Sequence, residues 1–191
     1  MTKSRMETFS DGVIAIIITI MVLELKVPHE TSPAALLPLL PVILSYILSF
    51  IFLGIYWSNH HHLIHAVSHV SGGVLWANLH LLFWLSLVPF VTAWMGENQF
   101  APWCVAVYGI VMLFASVAYF ILTRALISLH GRSSILAHAV GRDYKGQVST
   151  GIYVVAIPLA LVKAWIACML YVLVAIIWLI PDRRIERNLV E

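Results

Sequence analysis

Apolar runs broken by proline, glycine and charge set out this chain from end to end. They fall near 9–27, 36–58, 74–95, 101–125, 148–163 and 164–181, lengths close to the roughly 20 residues that an α-helix needs to cross a bilayer. The breaks are Pro28 to Pro33, the histidine-rich Asn59 to Gly73, the short Gly96-Glu97-Asn98-Gln99, the polar stretch His130 to Gln147 and, weakest of all, Lys163-Ala164. The layout predicts an all-α bundle of six transmembrane helices forming one domain over 1–191. A single helix running through Lys163 would give five spans and put the termini on opposite sides.

Composition sharpens this. Hydrophobic residues make up 61% of the chain and charged residues 10%, against roughly 25% charged in soluble domains. This is a membrane protein whose surroundings are the lipid bilayer, with no room for a soluble domain. The first run reads as a retained span and not a signal peptide, because Glu7 and Asp11 stand at its start and no small-residue cleavage site follows. A net charge of +2 is too small to imply a nucleic-acid partner. Its distribution is more informative. With six spans, Lys3, Arg5, Arg124, Arg132, Arg142, Lys145, Arg183, Arg184 and Arg187 share one side, and Lys26 and Lys163 lie opposite. The positive-inside rule then puts both termini in the cytoplasm, in a multi-pass protein of the cell inner membrane. Cys104 and Cys168 both lie in apolar runs and leave the redox compartment unread. No internal repeat is visible, so a symmetric pathway would have to come from oligomerisation.

The mouth of the first run carries the polar chemistry. Ser4-x-x-Glu7 fits a capping box, with Ser10 and Asp11 as caps for a later start. Arg5 and Glu7 are ordinary flanking charges for a span, but an aspartate at position 11 is costly unless it finds a partner at its own depth. The groups expected there are Trp57, Asn59, His60, His61, His62, Trp76, Asn78 and His80, which include indole and amide donors suited to a carboxylate.

Arg5-x-x-x-Phe9-Ser10-Asp11, followed by Thr19 and Leu23, with Trp57-x-x-His60 further on, resembles the endosomal/lysosomal potassium channel family (transmembrane protein 175 family) in its bacterial form. The resemblance covers the whole chain. It implies a homotetramer in which the first helices of four copies line a central pore for permeant monovalent cations, K⁺ and with modest discrimination Na⁺. It also implies an apolar constriction at Ile16, pore-facing positions at Thr19, Ile20 and Leu23, and an interhelix network of Arg5, Phe9, Ser10, Asp11, Trp57, His60 and Asn78. Geometry can be set beside that expectation. At 100° per residue Ile16, Ile20 and Leu23 fall within about 60° of arc, whereas Asp11 lies about 140° and Ser10 about 120° round from Ile16. A narrow apolar ring gates by dewetting, so bland side chains are compatible with conduction. A TVGYG-type filter is absent from the sequence, which leaves pore width and a polar ring such as Thr19 to discriminate ions.

The chain also holds Asn59-His60-His61-His62 with His65 and His69. On one continuous helix His61, His65 and His69 would share a face and offer three metal ligands, the basis of an alternative reading as a membrane metalloprotein or metal carrier. The same imidazoles are candidates for pH sensing. Glu24 stands at the outer end of the first run, where four copies would concentrate cations. No catalytic residue and no cofactor is expected beyond the permeant ion.

Overall fold

The structure is a computed structural model that describes residues 2–131, 133–141 and 143–179. Of the basic residues counted above, Arg132, Arg142, Arg183, Arg184 and Arg187 lie outside the described residues, as do the last two positions of the sixth run. All regular structure among the described residues is helical: α1 (Lys3–Val22), a 3-10 turn (Pro33–Leu39), α2 (Leu40–His65), α3 (Gly72–Ser86), α4 (Val88–Glu97), α5 (Pro102–His130), the short α6 (Ile135–Val140), α7 (Tyr144–Val162) and α8 (Ala164–Leu179). Among the described residues, four helical stretches are long and apolar enough to cross a membrane: Pro33–His65, Gly72–Glu97, Pro102–His130 and Tyr144–Val162. α1 falls outside that group because Lys3, Arg5, Glu7 and Asp11 crowd its first half. α8 is as apolar but shorter, with 16 described residues.

The helix boundaries have local causes. α1 starts six residues before the predicted run and stops at Val22, with Thr2 as its cap: the Thr2 hydroxyl accepts from the Arg5 N–H at 3.4 Å. Ser4, Ser10 and Asp11 therefore lie inside the helix, and none of them is its cap. The third apolar run is divided into α3 and α4 at Leu87, two residues before Pro89. Proline cannot donate to Leu85 four residues back, and its ring crowds that carbonyl. The ladder tightens there to an i→i−3 bond from the Leu87 N–H to the Trp84 carbonyl, 3.2 Å. α7 and α8 are separate helices on either side of Lys163, whose backbone is extended (φ −147°, ψ 81°).

α5 is the hub, packed on α3, α4, α7 and α8, while α1 lies to one side against α2, α3 and α4. The hub is built from small residues. Ala106, Gly109, Ala115 and Ala118 on α5 and Ala156, Ala160, Ala167 and Ala175 on α7 and α8 are all buried, which lets backbones approach where lipid supplies no hydrophobic drive between helices. Gly109 shows why one of these positions has no side chain. A Cβ there would overlap the Tyr171 hydroxyl, which donates instead to the Val105 carbonyl at 3.1 Å.

The two ends of the bundle differ. At one end α1 begins and α2 finishes, and His130, at the close of α5, accepts from the Ser68 N–H and packs on His69. At the other, beyond α1, Lys26 pairs with Glu97 at the end of α4 at 2.6 Å.

Candidate functional site: the fastening of the first helix

α1 presents three faces. Met6, Ser10, Ile14, Ile17 and Met21 are buried against the rest of the chain. About 140° round the helix, Arg5, Phe9, Gly12, Ile16, Thr19, Ile20 and Leu23 are exposed. Ile16 is 58% exposed, Ile20 43% and Leu23 78%. Between the two, Lys3, Glu7 and Asp11 form a polar row spaced by four.

That polar row meets an equally spaced row on α2 running the other way. Lys3 Nζ donates to the His65 carbonyl at 3.3 Å, Glu7 Oε1 faces His61 Nδ1 at 3.4 Å, and Asp11 Oδ1 accepts from Trp57 Nε1 at 3.0 Å. Residues 3, 7 and 11 pair with 65, 61 and 57, the register of two antiparallel helices read every i+4. Trp57 and His61 stack on each other (ring centroids 6.3 Å apart, planes at 25°), so the α2 row is continuous. Lys3 at the C-terminus of α2 also meets the negative end of that helix's dipole.

Beneath the row lies a second, buried link among three helices. Ser10 Oγ donates to the Met6 carbonyl at 2.8 Å and accepts from Asn78 Nδ2 at 2.9 Å. Asn78 Oδ1 faces His60 Nε2 at 2.7 Å. An amide oxygen only accepts, so the proton of this bond sits on His60 Nε2. His60 Nδ1 is buried and has no partner among the described residues. Ser10 and His60 are fully buried and Asn78 nearly so, and every other polar atom of the three is satisfied within the link, as a water-poor interior requires. A third polar link lies deeper, where Thr92 on α4 donates to Ser49 on α2 at 2.7 Å and Ser49 meets the Tyr108 hydroxyl of α5 at 3.1 Å.

The structure thus brings Ser10, Asp11, Trp57, His60 and Asn78 together at one crossing. Arg5 and Phe9 lie elsewhere, on the exposed face with Ile16, Thr19, Ile20 and Leu23. Lys3, Glu7 and His65 join the fastening although the sequence alone assigned them no part in it, and His61, one of the groups expected to meet Asp11, faces Glu7 instead; the signal that reveals this is the shared spacing of four in reversed order. Asn59, His62, Trp76 and His80 do not reach Asp11. Asn59 donates to its own helix at Ile55, and His80 accepts from Trp84.

The expected metal face is corrected here. α2 ends at His65, so His69 leaves the helix and packs on His130, ring centroids 4.6 Å apart, instead of continuing the row of His61 and His65. His61 is turned to Glu7 and Trp57. Among the described residues no group of three or more histidine, cysteine or acidic side chains is placed to hold a metal ion.

The sequence model of the family described as "Endosomal/lysosomal potassium channel TMEM175" matches residues 5–89, the stretch that contains all of α1 but its first two residues, all of α2, and every member of the fastening except Lys3. A potassium channel of Chryseobacterium sp. is 54% identical over the full length of both chains. A potassium channel of Chamaesiphon minutus is 31% identical over 85% of this chain and 86% of that one. The fold is similar to the crystal structure of a lysosomal potassium-selective channel TMEM175 homolog from Chamaesiphon minutus, with a TM-score of 0.80 and 29% identity, covering 92% of this chain and 95% of that one.

Proposed function

This chain belongs to the endosomal/lysosomal potassium channel TMEM175 family, and on that premise we propose that four copies of it form a potassium channel whose pore is lined by α1. The family is one of channels, not enzymes. The observation that carries the proposal is the division of α1. One face is held to its own bundle by hydrogen bonds and packing, while the face bearing Ile16, Thr19, Ile20 and Leu23 is left without a covering partner in the single chain.

In this reading α1, α2, the broken α3 and α4, α5, α7 and α8 are the six spans of one channel domain. Both termini face the cytoplasm, in the cell inner membrane. Four Ile16 side chains form the constriction, which closes by excluding water and conducts when it widens. Thr19 supplies the polar ring next to it: its hydroxyl donates its proton to the Ile16 carbonyl at 2.9 Å, which leaves the oxygen lone pairs free to face a cation. With so little polar lining, potassium is preferred over sodium only modestly. Ser10, Asp11, Trp57, His60 and Asn78 hold the pore helix in register, and Arg5 and Phe9, at the foot of the exposed face, contact neighbouring copies.

The test is ion flux through the purified protein in liposomes under separate potassium, sodium and proton gradients. Ile16→Asn is expected to raise potassium current several-fold, because an amide ring stays hydrated. Unchanged current in a well-assembled Ile16→Asn protein removes Ile16 from the constriction.

A further inference from the structure

A cavity of about 320 Å³ lies away from α1, enclosed by α2, α5, α7 and α8. Its size is at the small end of the roughly 300–1,000 Å³ of small-molecule sites. The interior is apolar and aromatic, with Phe52, Phe120 and Val174 among its walls, and Asn59, Asp143 and Gln147 form a polar lip. That lip is at the end of the bundle where α2 finishes and α7 begins.

The polar groups of this cavity divide into two sets. Most are already engaged: Trp178 donates to Ser149 at 2.9 Å, Ser116 meets Thr150 at 3.1 Å, and Asp143 accepts from the Gly146 N–H at 2.9 Å as the cap of α7. Tyr56 and Tyr153 also line the cavity; neither hydroxyl makes a hydrogen bond among the described residues, and neither is a sealed-off atom, so both open onto the cavity. Tyr153 is only 2% exposed. A hydroxyl that opens onto an apolar chamber keeps its donor and acceptor capacity free for whatever enters. Two such hydroxyls inside one apolar chamber ask for a visitor that is mostly apolar and carries one hydrogen-bonding group.

We propose that this cavity binds a small neutral amphiphile, a flat apolar body about the size of one aromatic ring with a single hydroxyl, entering past Asn59 and Gln147 and hydrogen-bonding to Tyr56 and Tyr153. The aromatic walls favour a ring by offset and edge contacts. A neutral head is indicated because the one carboxylate at the lip is committed to the start of α7 and the unpaired groups inside are uncharged. The site is independent of the conduction reading, since none of its walls belongs to α1.

The probe is 4-fluorophenol, followed by ¹⁹F NMR with the full-length protein in lipid nanodiscs and empty nanodiscs as the partition control. The expected result is a saturable bound signal absent from empty discs. Val117→Phe, which fills the cavity from α5, is expected to abolish it. Tyr153→Phe, which keeps the ring and the packing, is expected to weaken binding about fivefold to tenfold, the scale of one lost hydrogen bond. A signal identical to that of empty discs overturns the proposal, as does binding that neither variant changes. Should Val117→Phe fail to assemble, Tyr153→Phe decides alone.

Discussion

Asn78 uses both ends of its side-chain amide on other helices, the nitrogen on Ser10 of α1 and the oxygen on His60 of α2. Asn59 has the same chemistry but donates to Ile55 on its own helix. The two residues therefore form a matched pair. Asn78→Ala leaves the His60 Nε2 proton buried without an acceptor and removes one donor from Ser10, a loss of about 1–3 kcal/mol. Interhelix hydrogen bonds in membranes average about 0.6 kcal/mol with a ceiling near 1.7, so two of them in one amide favour the middle of that range. Asn59→Ala is expected to cost under about 0.5 kcal/mol. Reversible unfolding in mixed micelles checks both, and equal effects would mean that the buried link does not hold α1. Asp11, Trp57, His60 and Asn78 were readable in the sequence because polar residues at membrane depth need partners, while Ser10 was read as a cap and placed beside them by motif. Arg5 and Phe9 were grouped with them by motif alone, and adjacency in sequence did not survive the 100° turn per residue that sends them to another face.

Helix boundaries followed hydropathy closely where the solvent changes abruptly and poorly where protein replaces water. The third run is interrupted next to Pro89 and the last two helices part at Lys163, both marks visible in the sequence. α1 is displaced toward its N-terminus relative to the apolar run because Lys3 and Glu7, polar by type, are fixed on α2 and extend the helix into the charged segment. The α2 histidines misled for the complementary reason: a continuous helical face was assumed past His65, where the chain turns out of the helix. Close packing of small residues is the other feature that periodicity does not specify, since an alanine-rich or glycine-containing face is apolar on any side. Gly109 permits a direct check. Gly109→Ala drives a methyl group against the Tyr171 hydroxyl and to 3.0 Å from Ile157 Cγ1, with an expected cost of about 1–3 kcal/mol from overpacking. Tyr171→Phe removes the nearest atom that the methyl meets and leaves the ring Cζ at 2.9 Å, so the double variant is expected to be more stable than Gly109→Ala plus Tyr171→Phe taken additively. Strict additivity would show that α5 and α8 separate freely at this point.

The bundle has apolar exposed faces on opposite flanks, α1 on one and α7 with α8 on the other, and burial alone does not say which meets lipid and which meets another copy. Val155 on α7 is 59% exposed, as open as Ile16. One feature distinguishes α1. Its exposed face holds Thr19 among its large residues, a hydroxyl that suits hydration or close helix approach better than lipid. Four copies joined with closed rotational symmetry would bring equivalent α1 residues around one axis and leave α7 outermost. Leu23 lies at the open end of that face, where a short cross-link can reach between copies. In a background with Cys104 and Cys168 replaced by alanine, Leu23→Cys treated with a short bifunctional thiol reagent in native membranes is expected to give a ladder ending at four copies. Val155→Cys under the same treatment is expected to stay monomeric. The reverse pattern, with Val155→Cys linked and Leu23→Cys single, would put α7 at the shared interface and α1 in lipid, and would withdraw the pore from α1 whatever current the protein carries.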